Sequence, residues 1–435
     1  MLGVGLSIPE IVARRMAGYD RYVDDVNGSD DNDGTSPALA WASLNKLETL
    51  TPVAMATTRV LVKSGTYDKA GDYFEIANNS ATAWTLDVTC EPGTVWDGTA
   101  CNAGGAQNPL FTNGSSDWRL NLHGNGLTIQ NYDNETGGSP NGIGWGGNCF
   151  VYSSDVVITN CVDGISNHDN GPGLMVNIVV TACSKYALAQ TGTGHTDFHG
   201  CSFTGEDGAS GGVAVVNSDA SAEFFDTKFI PVGTARNLFL SNSNLVRCQL
   251  GTETDDVIVA PVAVGTCVIR KSYVHVETQQ LYGVSMEECF GRFSMRLRDS
   301  GTPDIQHCIF TGPAESQSYV FYANTGTAFA AFTFSNNILV GNYTFDNLGS
   351  RYNLLEADNV LANNLLYGGV AYSGNLTGSN ATISGTVTGQ DPLIGSADTY
   401  LMSDWAFGAG SPAIGAANDD GDIGFGPSDV EDIAA

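Results

Sequence analysis

Basic side chains are scarce in this sequence. Its 435 residues include 18 Lys and Arg against 47 Asp and Glu, a formal net charge of −29. That balance argues against a nucleic-acid partner, because phosphate binding needs clustered Lys and Arg, and equally against an anionic membrane surface. Charge of either sign is sparse: 15% of residues are charged, against ~25% in an average protein. The polar surface must therefore be built mostly from Asn, Ser, Thr and Gly. No run of ~18 apolar residues occurs, so no membrane-spanning helix and no membrane insertion is expected. The opening, MLGVGLSIPEIVARRM, lacks the basic-then-apolar order of a secretory signal, since Arg14 and Arg15 follow the apolar part. Synthesis and folding in a cytoplasm are expected. The ten cysteines contain no Cys-x-x-Cys pair, which leaves zinc without its usual ligand spacing. They are also too few for a disulfide scaffold of this length. No resident metal is expected from them.

Glycine is abundant, with 53 residues, and 42% of the chain is apolar. High glycine with low charge and ample apolar content differs from the disordered pattern of low hydrophobicity and high net charge. It points to an ordered fold with many turns. The cysteines mark its period. Cys161, Cys183, Cys201, Cys248, Cys267, Cys289 and Cys308 are separated by 22, 18, 47, 19, 22 and 19 residues, and fixed-period similarity of this size is a solenoid signature. The flanking segments share a form: a short β-rich run, a polar or small residue, then Cys or a substitute, then more apolar residues. VVITNCV, IVVTACS, FHGCSF, EFFDTKF, LVRCQL, VIRKSYV, PDIQHCIF, FTFSNNIL and NVLANNLL are examples. Ser272 rather than Cys267 takes the cysteine position in its repeat, and the aligned positions become 161, 183, 201, 227, 248, 272, 289, 308, 337 and 365.

Runs of this length, bounded by Gly, Asn, Asp and Ser, read as strands and turns. A strand every ~22 residues with no helical pattern between them excludes Rossmann and TIM-barrel architectures, and a propeller needs a longer, four-stranded repeat. The expectation is an all-β, right-handed parallel β-helix of roughly 10–13 coils, in which like residues stack at ~4.8 Å. Its cysteines form an inward ladder, Cys being a small and readily buried residue. Ser7 three residues before Glu10, with Pro9 between them, predicts a short helix over 7–16 that must dock to persist. AWASLNKLETL (40–50) predicts a second short helix capping the first coil. The Gly-, Thr- and Ser-rich stretch 368–390 reads as loop-like, before a compact end containing DPLI and SPAIGA.

At both ends the sequence resembles a known superfamily. RYVDDVNGSDDNDGTSPALAWASLNKL (21–47), RVLVKSGTYD (59–68) and GTVWDG (93–98) resemble the opening of pectate-lyase-like right-handed β-helix proteins. DPLIGSADTYLMSDWAFGAGSPAIGAANDDGDIG (391–424) resembles their closing segment. The superfamily includes lyases, hydrolases, epimerases and non-enzymatic virion proteins, so the likeness implies fold and not activity. GVGLSIPEIVARR, directly before a β-helix, resembles the attachment peptide of a bacteriophage virion protein. The implied organisation is an attachment peptide over 1–20, a capped β-helix over 21–367 and a C-terminal capping segment over 368–435. Ser7, Ile8, Pro9, Ile11, Val12, Arg14 and Arg15 are the attachment candidates.

Three groups of residues could carry binding or chemistry. The residue before each aligned cysteine position forms a row reading Asn160, Ala182, Gly200, Asp226, Arg247, Lys271, Glu288, His307, Asn336 and Asn364. Asp226, Arg247, Lys271, Glu288 and His307 would make a mixed-charge strip able to bind a glycan. Arg247 and Lys271 could neutralise a uronate, and Glu288 or His307 could act as a base. A plain ladder of salt bridges, each worth little, is the other reading. The second group is Asp163, His168, Asp169, His195, Asp197 and His199, candidates for paired acid–base catalysis on a polysaccharide. The string DGISNH (163–168) resembles one found in some β-helix polysaccharide enzymes and phage proteins, although no complete lyase signature is present. The third group is Asp30, Asp31 and Asp33 in NGSDDNDGTS, which partly matches a calcium loop but lacks its downstream Glu. Calcium binding and a plain Asx turn both remain open there. Trp118, Trp145, Tyr152, Tyr273, Tyr282, Tyr319 and Tyr322 are sugar-stacking candidates if exposed, and core or edge residues otherwise.

The functional expectation is a bacteriophage structural protein, a tailspike, fibre or capsid decoration subunit assembled in the host cytoplasm. It would attach through residues 1–20 to a capsid or tail protein, form a homotrimer and adhere to host surface polysaccharide. The alternative is a polysaccharide lyase or glycoside hydrolase acting on bacterial exopolysaccharide. A bacterial adhesin is disfavoured by the missing export signal.

Overall fold

The computed structural model describes residues 18–51, 53, 55–69, 74–78, 83–100, 110–114, 118–133, 141–206, 212–216, 220–233, 237–252, 258–259, 267–276, 284–293, 296–297, 304–311, 319–323, 332–341, 344–346, 359–368, 371–373, 382–385, 387–394, 402–417 and 422–425. The chain is all-β, with long parallel sheets compatible with a parallel β-helix. It divides into two compact units, residues 1–161 with 170–172, and residues 162–169 with 173–435. Among the described residues no helix is long and apolar enough to cross a membrane.

In the first unit, Arg21–Val23, Ala56–Val62, Trp84–Cys90, Trp118–Gln130 and Phe150–Thr159 pair in parallel, each with the next. Alternation sets the faces. In Trp84–Cys90 every second residue is buried, and Trp84, Leu86 and Val88 lie opposite Trp118, Leu120 and Leu122. Like stacks on like, and the two indoles lie 5.9 Å apart. The predicted helix over 40–50 is shorter and tighter than expected: Leu44–Thr49 is a 3₁₀ helix that buries Leu44 and Leu47. The reason is local. Trp41 is drawn into strand pairing, its N–H donating to the Tyr22 carbonyl and its carbonyl accepting from Asp24 N–H. The Ser43 hydroxyl donates to Asp30 instead of capping the helix. The helix predicted over 7–16 and its attachment residues lie outside the described residues.

The second unit repeats one motif, a strand, a two-residue corner and a second strand. Before the corner run the first half of Gly173–Thr181 as far as Val176, then His195–His199, Ser221–Phe225, Ser243–Val246, Cys267–Arg270, Val284–Glu287, Asp304–Gln306, Phe332–Ser335, Asn359–Ala362 and Thr382–Ser384, each parallel to the next. After it run Ser202–Thr204, Lys228–Ile230, Gln249–Leu250, Tyr273–Val276, Phe290–Phe293, Ile309–Thr311, Ile338–Val340, Leu365–Tyr367 and Val387–Thr388. Within the stretch 368–390, Ala371–Ser373, Thr382–Ser384 and Val387–Thr388 are paired strands.

The first corner residue is left-handed in every repeat from Gly200 onward. Asp226, Arg247, Lys271, Glu288, His307, Asn336 and Asn363 have φ of 51°, 52°, 48°, 54°, 54°, 59° and 51°. Its N–H reaches across to the next repeat, as from Arg247 to the Arg270 carbonyl and from Lys271 to the Glu287 carbonyl. The second corner residue is buried and small. Thiol and hydroxyl do the same work there: Cys201, Thr227, Cys248, Ser272, Cys289 and Cys308 each donate to the carbonyl two residues earlier. Farther along asparagine takes over. Asn337 Oδ1 accepts from Cys308 N–H at 2.9 Å, and Asn364 Oδ1 accepts from Asn337 N–H at 3.0 Å. All nine described cysteines are buried thiols, and desolvation pushes those of Cys201, Cys248 and Cys267 up to about 12.

Two rungs of the expected row need correction. Asn364 is buried at the cysteine position, and Asn363 is the left-handed residue. The aligned position is thus 364 and not 365. Cys183 does not stack on Cys201. The pairing of Val176 with His199 and of Val179 with Ser202 puts Ile178 opposite Cys201 and Asn177 opposite Gly200. Ala182 and Cys183 form a later corner of the same repeat. In the first unit Asn131 and Asn160 stand together at a corner, with Asn131 N–H donating to the Thr159 carbonyl and Asn160 Nδ2 to Asn131 Oδ1.

The C-terminal segment packs along a column of strands. Tyr273, Phe290, Ile309, Ile338 and Leu365 occupy successive rungs of one column. Met402, Trp405, Phe407, Ala413, Ile423 and Phe425 bury against them. Gly424 sits at φ 75°, and a Cβ there would lie 2.9 Å from Ile338 Cδ1.

Candidate functional site

The mixed-charge strip is present as a row of corner residues, in which Arg247 pairs with Asp226 and Lys271 with Glu288. Arg247 Nε and Nη2 donate to the two carboxylate oxygens of Asp226 at 2.7 and 2.8 Å. Lys271 Nζ lies 3.5 Å from Glu288 Oε2. His307 Nδ1–H donates to the Asp422 carbonyl at 3.1 Å, and its Nε2 accepts from Asn336 Nδ2 at 3.3 Å. His307 thus anchors the C-terminal segment, aided by Gly424 N–H on the Asn336 carbonyl. This arrangement matches the salt-bridge reading of the strip. Left-handed backbone disfavours long side chains, and the ion pairs offset part of that cost.

The six His and Asp candidates separate. Asp163 is buried at the start of Asp163–Asn167, which pairs with Tyr186–Gln190 in another sheet. His168 is held by two hydroxyls, Ser166 Oγ at 2.8 Å from Nε2 and Thr191 Oγ1 at 3.3 Å from Nδ1. Burial lowers its proton affinity. The Asp169 carbonyl accepts from Gly194 N–H. His199 stacks on Phe225, with centroids 4.8 Å apart. His195 and Asp197 bond directly: Nε2 lies 2.8 Å from Asp197 Oδ1, and Nδ1 lies 2.8 Å from Ser221 Oγ. The hydrogen bond to Asp197 raises the His195 proton affinity against an opposing desolvation. A hydroxyl, an imidazole and a carboxylate are thus joined in series, the relation of nucleophile, base and orienting group. Ser221 carried no motif in the sequence; its pairing opposite His195 brings it there.

In the acidic loop, Asp30 accepts from Ala42 and Ser43 backbone N–H at 2.9 and 3.1 Å, and Asp33 accepts from Thr35. Asp31 is exposed. Among the described residues no three His, Cys, Asp or Glu side chains are placed to hold a metal ion. Of the aromatic candidates, Trp118, Trp145 and Tyr273 are buried. Tyr152 is half-buried beside His123, with centroids 5.3 Å apart. Tyr282 lies outside the described residues, as do the side chains of Tyr319 and Tyr322.

One feature of the first unit escaped the sequence reading. A shallow groove of about 280 Å³ is lined by Thr57, Arg59, Thr85, Asp87, Arg119 and Asn121. Its members are brought together by strand register and belong to no motif. No protein-family profile matches the chain, and no curated protein matches it in sequence.

Proposed function

We propose that each unit is a stretch of right-handed parallel β-helix of the pectate-lyase-like kind, and that the chain is a structural protein of a bacteriophage particle. In this reading it is a tailspike, fibre or capsid decoration subunit, assembled in the host cytoplasm as a homotrimer. Residues 1–20 bind a capsid or tail protein, and the outward sheet faces meet polysaccharide on the host surface. The observation that carries the reading is the in-register parallel stacking itself. It fixes rows of Asn, Ser, Thr and a few paired charges on a rigid backbone, a preorganised surface of low charge suited to hydroxyl-rich ligands. Deleting residues 1–18 is expected to abolish incorporation into particles while leaving the fold intact. Normal incorporation of the truncated chain overturns the attachment.

A depolymerase is the second reading, and the Ser221–His195–Asp197 series favours it. Lyase action on host capsule would raise absorbance near ~235 nm, and hydrolase action would release reducing ends, both through general acid–base work by His195. Loss of product formation in His195→Gln supports this reading, and absence of product from the wild-type chain on acidic and neutral glycans removes it.

A further inference from the structure

Two short outward rows lie side by side on consecutive rungs of the second unit. His195 stands opposite Ser221, and Asp197 opposite Glu223. The pairing of Ala222 with Ser243 and of Glu223 with Asn244 sets Asn242 on the rung beyond Ser221, and Asn244 on the rung beyond Glu223. The residues between the rows, Thr196, Ala222 and Ser243, are buried, so alternation turns both rows outward. The Asn242 amide is held beside Ser221, its Nδ2 donating to the Ala220 carbonyl at 3.4 Å. Buried Gln190 ties the starts of the two strands together. Its Nε2 donates to the Gly194 carbonyl at 2.7 Å and to the Ser221 carbonyl at 2.9 Å. Nucleophile, base and amide therefore sit on paired backbone and not on a free loop, which favours precise placement.

We propose that this patch is an acyl esterase, with Ser221 as nucleophile, His195 as base, Asp197 positioning the imidazole and the Asn242 amide donating to the oxyanion. The proposal shares its residues with the depolymerase reading but not its reaction, since no glycosidic bond breaks. The hydrogen bonds have the required direction: Asp197 accepts from Nε2–H, which leaves Nδ1 to accept from the Ser221 hydroxyl. Ser221 Oγ attacks the acyl carbon as its proton passes to Nδ1. The tetrahedral oxyanion collapses, the ester C–O bond breaks, and the leaving alkoxide takes the proton from Nδ1–H. Water then attacks the acyl-serine and gives a proton to Nδ1, which returns it to Ser221 Oγ as the acid departs. Ester and water become alcohol and acid, and no other reactant is needed. The neighbouring outward side chains Asp197, Glu223, Asn242 and Asn244 are polar, and the two asparagines are exposed. Such a face gives a long acyl chain no apolar surface to bury against. The substrate class is therefore a short acyl ester, an O-acetyl group standing out from a hydroxyl-rich ligand.

The test uses the full chain with p-nitrophenyl acetate as substrate and an alkyl fluorophosphonate as a trap for an activated serine. Peptide mapping is expected to place the phosphonate on Ser221 in the wild type and to find none in His195→Gln. Ser221→Ala and His195→Gln are each expected to lower kcat/KM at least ~100-fold, and the double variant no further, because the pair acts as a unit. Asn242→Ala is expected to lower kcat at least ~10-fold with KM little changed. The rate is expected to rise with pH as His195 loses its proton. The charged groups facing that ring are Asp197 on its own strand and Glu223 on the next. Asp197→Asn is expected to move the midpoint of the profile down as well as to slow the reaction, which a merely structural residue would not do. Melting temperatures equal to wild type show that the variants are folded. Wild-type turnover in Ser221→Ala, or a phosphonate found only elsewhere, overturns the proposal. Acetyl release without cleavage of any polysaccharide leaves the esterase standing and removes the depolymerase, whereas chain cleavage without acetyl release does the reverse.

Discussion

Lys271 illustrates what a single corner position demands. Its backbone is left-handed, a conformation that costs a non-glycine residue roughly 1–2 kcal/mol. Its partly exposed ion pair with Glu288 returns about 0.2–1 kcal/mol. Lys271→Gly is therefore expected to be near neutral in urea unfolding, and Lys271→Val to be less stable than the glycine variant by roughly 1–2 kcal/mol. Equal stability of the two would contradict a strained corner. His195 gives a residue-scale prediction in pH. Its folded affinity for protons is raised, first by the hydrogen bond to Asp197. The stability it contributes is thus complete below the unfolded value near ~6.5 and fades as pH rises through the folded one. For His168 burial lowers the value, so its contribution is complete above ~6.5 and lost as pH falls through the folded value. Histidine ring NMR is expected to place the His195 midpoint above that of His168. Asp197→Asn should bring the His195 midpoint down, and an unmoved midpoint would contradict the pair.

At the scale of elements, the corner works because its second residue supplies either a donor to the carbonyl two residues back or an amide that serves two neighbouring repeats. Cys308→Ser is expected to cost little, since Ser272 already fills the role at another rung. Asn337→Ala is different: it removes the acceptor of the buried Cys308 N–H and the donor to the Ile305 carbonyl. Each orphaned group costs about 1–3 kcal/mol, so the variant should melt well below Cys308→Ser. This corner was legible in the sequence from Cys201 to Asn337 because a small polar residue recurs there between two short β-rich runs in every repeat. It was misread at the ends for physical reasons. In Asn363–Asn364 either residue suits a left-handed turn, so composition does not say which one is buried. In GLMVNIVVT the left-handed Asn177 interrupts what reads as one strand and hides a corner. For the C-terminal segment, apolar residues alone gave no address for where they pack. The column from Tyr273 to Leu365 turns apolar only on rungs that it covers, whereas Ser202, Lys228 and Gln249 precede them. Phe425→Ala is expected to cost about 3–5 kcal/mol and to loosen that segment, as seen by faster amide exchange over 402–425.

For the whole molecule, low charge, abundant glycine and a recurring strand-and-corner pattern all follow from a chain that lays each repeat upon the last. The fold class was therefore open to sequence reading. The sites were harder to read, because register brings together residues that are distant in the chain. Arg59 and Arg119 share no motif, and Ser221 meets His195 only across paired strands. Every site argument thus depends on the stacking. It is tested most directly by pulsed electron–electron resonance between spin labels placed at Asp197 and Asp304. These residues lie in one outward row, joined through Glu223, Asn244, Val268 and Ser285. Five steps at ~4.8 Å predict a backbone separation of ~24 Å with a narrow distribution. A broad distribution, or a separation beyond about 40 Å, would contradict the stacked, in-register arrangement on which the proposed sites stand.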